Sequence, residues 1–170
     1  VLVPYFQKRC RNTDKILKAM YVAAGIGQII ATRSSISGAA GGCQAEIGSA
    51  SSMAAGALTY LQGGNCKQIA TAAAMAMKNL LGLVCDPVAG LVEVPCVKRN
   101  VIGTVNAMAC ADMAMAGITS RIPPDQVMDA MKEVGDKMDA SLRETALGGL
   151  ARTEEGVKIA EKMHASQENW

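Results

Sequence analysis

The stretch Ala45-Glu46-Ile47-Gly48-Ser49-Ala50-Ser51-Ser52-Met53-Ala54-Ala55-Gly56-Ala57-Leu58-Thr59-Tyr60-Leu61-Gln62, closed by Gly63-Gly64, decides the fold. It holds no proline, and paired glycines are a natural helix stop. Many of its side chains barely extend beyond Cβ, so neighbouring backbones can approach it closely. Such a helix belongs in the middle of a bundle. The wider composition agrees: half of the 170 residues are hydrophobic, yet the aromatic ones are limited to Tyr5, Phe6, Tyr21, Tyr60 and Trp170. Ala, Gly and Met fill the space instead, which favours packed helices over a β-sandwich.

Capping residues and helical periodicity set the elements on either side. Thr13 or Asp14 is placed to cap a helix to about Ala31, with Ile16, Ala19, Met20, Ala23 and Ala24 on one face. Ser34 to Gly42 reads as a loop rich in Ser and Gly. Asn65 caps a helix to about Leu81, ended by Gly82. Leu83 to Arg99 carries Pro87, Gly90 and Pro95 among apolar residues and reads as a buried irregular loop. Asn100 caps a long helix to about Ala116, and Pro123-Pro124-Asp125 opens another to near Lys137. Ser141 opens a short helix closed by Gly148-Gly149, and Thr153 leads a polar last helix that reaches His164. The expected fold is all-α: residues 1–170 form a single domain, a compact bundle of about six to seven helices.

The net charge is +2, and Lys98-Arg99 is the one basic pair in the interior of the chain, so no nucleic-acid partner is expected. The most apolar stretch, Ala19 to Ala31, is interrupted by Gln28 and is too short to cross a membrane. Val1-Leu2-Val3-Pro4 lacks the features of a secretory signal. Six cysteines without regular spacing suggest a reducing cytoplasm, where cysteine more often means metal or catalysis than disulfides.

Three cysteines stand at turns: Gly41-Gly42-Cys43-Gln44, Val84-Cys85-Asp86-Pro87 and Val94-Pro95-Cys96-Val97. Three thiolates are one short of the four that close a structural zinc or iron–sulfur site. If they share a metal, one position stays open for water or substrate. Cys43, at a helix N-terminus, is expected to have a lowered thiol pKa. Cys66 and Cys110 read as small buried hydrophobes and Cys10 as exposed and incidental. The single His164 reads as a surface residue, which disfavours zinc and leaves a serine hydrolase or Cys–His protease without a base. No phosphate-binding loop, dinucleotide fingerprint or His-Glu-x-x-His segment is present.

Gly41-Gly42-Cys43-Gln44-Ala45-Glu46-Ile47-Gly48-Ser49-Ala50, and the longer run from Lys78-Asn79-Leu80-Leu81-Gly82 through Cys85-Asp86-Pro87 to Pro95-Cys96-Val97-Lys98-Arg99-Asn100, resemble bacterial iron–sulfur-dependent L-serine dehydratase. Ser141-Leu142-Arg143-Glu144-Thr145-Ala146-Leu147-Gly148-Gly149-Leu150 is similar to the C-terminal end of that family's α domain. The resemblance runs from about Ile16 to Leu150. It implies a helical α domain holding a 4Fe-4S cluster through Cys43, Cys85 and Cys96, with one iron open to substrate and no pyridoxal phosphate. It implies conversion of L-serine to pyruvate and ammonia in amino-acid catabolism and gluconeogenesis, with the iron as Lewis acid toward the β-hydroxyl.

The resemblance further implies a serine dehydratase β subunit or fused β domain, and a homo- or hetero-oligomer. Family α chains extend further at the N-terminus, so the sequence reads as the C-terminal part of the α domain, a piece that is itself inactive if part of the pocket is absent. Lys98 and Arg143 are candidates for the substrate carboxylate and Ser49 for a substrate contact, while no residue stands out as base for the α-proton. Ser51 and Ser52 are read either as donors to the site or as packing residues. The rival readings are a non-catalytic helical module, with packed cysteines or a structural metal, and a zinc-dependent lyase or hydrolase. The expectation that follows is geometric: the side chains of Cys43, Cys85 and Cys96 converge.

Overall fold

Asn12 accepts a hydrogen bond from the Lys15 N–H and so opens α1, Thr13–Arg33. A four-residue turn of helix, α2 (Gly38–Gly41), precedes Cys43, and a π-helical turn over Gln44–Gly48 leads into α3, Ser49–Leu61. A reciprocal cap between Asn65 and Gln68 starts α4, Cys66–Lys78. Then follow α5 (Cys96–Met115), α6 (Pro124–Lys137) and α7 (Glu154–Gln167), with single 3-10 turns at Val88–Gly90, Ala140–Leu142 and Gly149–Arg152. The computed structural model describes residues 2, 4, 8 and 12–167; no strand occurs among them, and the isolated β-bridge joins Cys85 to Arg143. Cys10 lies outside the described residues.

The bundle is built around α3, which packs on α1, α4 and α5. Where it meets α4 and α5 most of the contacts are made by side chains of one or two heavy atoms. Ala55, Ala72, Ala76, Ala107, Cys110 and Ala114 form one cluster from α3, α4 and α5, together with Met75. Close packing of this kind brings backbone carbonyls within reach of α3 hydroxyls. Ser51 donates to the Gly103 carbonyl of α5 and Ser52 to the Ala73 carbonyl of α4, each at 2.8 Å. These two serines therefore pack helices and do not face the cysteines. A second cluster, Ile30, Ala74, Met77, Val127, Met128 and Met131, seats α6 against α1 and α4. Arg33 fastens the same corner with a two-pronged pair to Asp129, at 3.1 and 2.7 Å.

Several boundaries differ from the sequence reading. The cap of α1 is Asn12, not Thr13 or Asp14, because the asparagine is the residue with extended backbone and a free side-chain acceptor. The stretch 34–42 is not all loop, since it contains α2. The helix before Gly82 ends at Lys78 rather than Leu81. The fourth long helix starts at Cys96, one turn before Asn100, whose side chain instead donates to the Cys96 carbonyl. The segment from Ser141 makes only a 3-10 turn before a run of bends.

Gln44 holds the bundle to the loop that follows α4. It is fully buried, with Nε2 donating to the carbonyls of Gly41 (2.9 Å) and Met131 (3.0 Å). Its Oε1 accepts from the Gly82 N–H at 2.9 Å, while its own N–H donates to the Leu83 carbonyl at 2.8 Å. Gly135 of α6 lies so near that a Cβ there would stand 2.9 Å from the Gly41 Cα. Gln44→Glu exchanges the donor for a carboxylate oxygen facing two carbonyls, and is expected to cost about 3 kcal/mol at neutral pH. The deficit should shrink as pH falls, because a protonated carboxyl regains one donor; denaturant unfolding at two pH values measures both.

Candidate functional site

Four segments meet at one cavity of about 460 Å³. Cys43 comes from the turn before α3, Cys85 from the loop after α4, Cys96 from the start of α5, and Glu144 from the bends after the Ala140–Leu142 turn. Glu46 and Asn100 complete its polar lining. Cys43 and Cys85 are buried and Cys96 is half-buried; these three and the other described cysteines, Cys66 and Cys110, are free thiols.

Local backbone explains each placement. Gly42, at φ +77°, turns the chain so that Cys43 enters the interior, and a Cβ at Gly42 would sit 3.0 Å from the Leu83 carbonyl. Cys85 is clamped on both main-chain sides: its N–H donates to the Leu142 carbonyl and its carbonyl accepts from the Glu144 N–H, each at 2.8 Å. Glu144 itself adopts φ 64°, a left-handed conformation that costs on the order of 1 kcal/mol for a side chain of this kind and is held by that clamp. Gly38 has no side chain where a Cβ would lie 3.1 Å from the Cys85 sulfur and 3.0 Å from the Glu46 carboxylate. It forms a cradle that any larger residue would fill.

The loop between Cys85 and Cys96 is fixed by a buried ion pair. Arg99 Nη1 donates at 2.8 Å both to the Val84 carbonyl and to Asp86 Oδ1. The second carboxylate oxygen, Oδ2, accepts from the Leu150 N–H at 2.8 Å. Gly149, at φ +57°, lies against this carboxylate, and a Cβ there would collide with Oδ2. The side chains of Arg99 and Asp86 are only 15% and 4% exposed, so the pair is screened little by solvent.

Electrostatics at the cavity run against free thiolates. Burial pushes the Cys43 thiol up to about 11, opposed by the positive charge of Arg99. This corrects the expected lowering: Cys43 precedes a π turn deep in the protein, and desolvation outweighs any helix-end field. Burial, then Glu46 and the neighbouring thiol of Cys43, push Cys85 up to about 12. Cys96 is raised as well, by burial first. Glu46 is raised by burial and then by Glu144, against the Gly38 N–H that donates to it. A bound cation would reverse this balance by favouring the deprotonated ligands.

Cys43, Cys85 and Cys96 thus share one cavity. No group of three Cys, His, Asp or Glu side chains among the described residues is drawn closely enough to hold a single metal ion. Ser49 is buried, its Oγ has no hydrogen-bond partner among the described residues, and it lines an adjoining crevice that shares Glu46 and Ala50 with the cavity. Lys98 is exposed on the first turn of α5 and Arg143 is half-buried beside Glu144; neither lines the cavity. Cys110 is buried as expected, whereas Cys66 is exposed, because the first turn of α4 faces outward; His164 is exposed. Sequence reasoning missed Glu46, Glu144 and the Asp86–Arg99 pair. An aspartate between Cys85 and Pro87 in an apolar run was the available signal for the pair.

The family model described as the serine dehydratase alpha chain matches residues 1–151, and the chain belongs to that family. The probable L-serine dehydratase alpha chain of Bacillus subtilis (strain 168) is 57% identical over 150 residues, a span of 88% of this chain and 50% of the relative. The corresponding Latilactobacillus sakei protein is 56% identical over 148 residues, covering 87% of this chain and 71% of the relative. L-serine dehydratase TdcG of Escherichia coli (strain K12) is 46% identical over 153 residues, 89% of this chain and 34% of the relative. The chain therefore spans about half the length of the B. subtilis relative. Among the described residues, no helix is long and apolar enough to cross a membrane.

Removing one member of the buried pair should be worse than removing both. Asp86→Ala strands the Arg99 charge beside Cys43 and is expected to cost about 3 kcal/mol or more. Asp86→Ala combined with Arg99→Met should recover part of that loss, as read from denaturant midpoints of the two variants.

Proposed function

We propose that this chain is the cluster-binding helical domain of an L-serine dehydratase, which converts L-serine to pyruvate and ammonia. The observation that carries the reading is the meeting of Cys43, Cys85 and Cys96, from three separate segments, on one cavity with two carboxylates. The donor set fits an iron–sulfur cluster: three thiols, no histidine, and a Gly38 cradle against the Cys85 sulfur. Cys43, Cys85 and Cys96 would hold it. When bound, a 4Fe-4S cluster with three protein ligands supplies Lewis acidity toward the β-hydroxyl that must leave.

The chain's own residues then do the rest. Arg99, whose charge opposes the burial that raises the Cys43 thiol, eases its deprotonation toward the metal-binding state. Ile47, Leu80 and Leu83 back Cys43 and Cys85 and keep water from that side. The Glu46 and Glu144 carboxylates give the wall a negative charge, which attracts and orients the α-ammonium of serine. The unpartnered Ser49 hydroxyl donates to the substrate in the adjoining crevice, and the half-buried Arg143, next to Glu144 but outside the cavity lining, contributes positive charge for the substrate carboxylate. Residues 1–170 act as one domain, working with a β subunit or β domain as the alpha-chain naming of the relatives suggests.

Anaerobic reconstitution with iron and sulfide tests the cluster. Wild type should gain broad absorbance near about 400 nm with matching iron and sulfide, and Cys43→Ser should lose most of it. Equal loading of both proteins would overturn the ligand assignment. A loaded enzyme, complemented with its β part, that makes no pyruvate from L-serine would overturn the activity.

Glu46→Gln tests the ammonium contact, because it keeps the acceptor for the Gly38 N–H and loses only the charge. It should raise KM for L-serine about tenfold or more while leaving the absorbance unchanged. An unchanged KM would remove Glu46 from the substrate site.

A further inference from the structure

The inner face of α5 is buried through Gly103, Ala107, Cys110, Ala111 and Ala114. Its outer face would be polar if it met only water. Instead a seam of Lys98, Val101, Val105, Ala109 and Asp112 runs along it, with Val101 61% and Val105 60% exposed. Ile102 and Met108 flank the seam on opposite sides, 56% and 50% exposed. At 3.6 residues per turn these positions fall on one side of the helix.

The pattern is symmetric about Val105. Val101 and Ala109 stand equally far before and after it, as do Ile102 and Met108, and as do Lys98 and Asp112. We propose that this face is a docking surface for a second copy of the chain, with α5 packed antiparallel on α5 and a two-fold axis passing at Val105. In that arrangement Val101 of one copy meets Ala109 of the other, and Ile102 meets Met108. Lys98 of each copy meets Asp112 of the other, so two opposite-charge contacts close the ends of the seam. A parallel pairing would set lysine against lysine and aspartate against aspartate, so the charges select the antiparallel one. Asp112 is steadied for this by Gln62 Nε2, which donates to its Oδ1 at 3.0 Å.

The short side chains of the seam permit the interaxial approach of about 8 Å to 10 Å found for packed helices. A single helix pair is smaller than a standard interface of roughly 800 Å² per partner. A reversible dimer follows. The inference stands whatever reaction the chain serves.

Sedimentation velocity on the full chain over a micromolar series gives the test. Wild type should pass from monomer to dimer. Val105→Asp, which sets two like charges at the axis, should remain monomeric with an unchanged circular dichroism spectrum and Tm, since the side chain is exposed in the monomer. Lys98→Asp should weaken the dimer about tenfold, and Lys98→Asp combined with Asp112→Lys should restore it. A wild-type chain still monomeric at about 100 µM would overturn the proposal. So would a dimer indifferent to Val105→Asp, or a double variant no tighter than Lys98→Asp alone. A chain monomeric by itself whose α5 face is covered only by a different polypeptide would also overturn it.

Discussion

One buried amide sets the position of everything around the cysteines. Gln44 follows Cys43, and its side chain spends both ends on main chain: two carbonyls, of Gly41 and of Met131 in α6, and the N–H of Gly82. An amide is the one uncharged side-chain group that can donate and accept in this way, so neither a carboxylate nor an ammonium can substitute. Through it the turn at Cys43, helix α6 and the loop leading to Cys85 share one hydrogen-bond junction. The small residues of α3 make the bundle compact, but Gln44 decides where the loop sits on it.

The cysteine cavity is then a compromise between packing and chemistry. Burial and neighbouring carboxylates hold all three thiols above their usual range, which is unfavourable for ligands that must lose protons. A single guanidinium opposes this at Cys43 and Cys96. Arg99 sits between the Val84 carbonyl, Asp86 and the electrostatic reach of Cys43, and so fixes the loop and biases the thiol together. Asp86 in turn reaches Leu150, so the segment around Gly149 is tied to the same charge.

What the sequence made legible follows from how local each signal is. Helix starts marked by a side-chain cap, such as Asn65, and the glycine stop after α3 are local, and the all-α bundle around α3 could be read from them. The start of α5 could not, because Pro95 offers no side-chain cap and Cys96 lacks a helix-start character. The three cysteines were legible as a group because each stands at a turn among small residues. Their carboxylate neighbours were not. Glu46 lies inside a helical stretch and Glu144 comes from a segment far along the chain, brought in by main-chain bonds to Cys85 that leave no trace in side-chain identity. The lowered thiol expected of Cys43 failed for a related reason: helix-end position is visible in sequence, depth of burial is not.

The bridge between Cys85 and Arg143 joins distant parts of the chain. Helices α3, α4 and α5 follow one another along the chain and can pack through contacts of modest sequence separation, while the clamp on Cys85 must close a long loop for a pair of backbone bonds. The segment from Ala140 onward is therefore joined to the loop after α4 by main-chain bonds whose partners lie far apart in sequence. Glu144 thus reaches the site through the main chain of Cys85 itself, so the carboxylate wall and the buried thiol are placed by the same two backbone bonds.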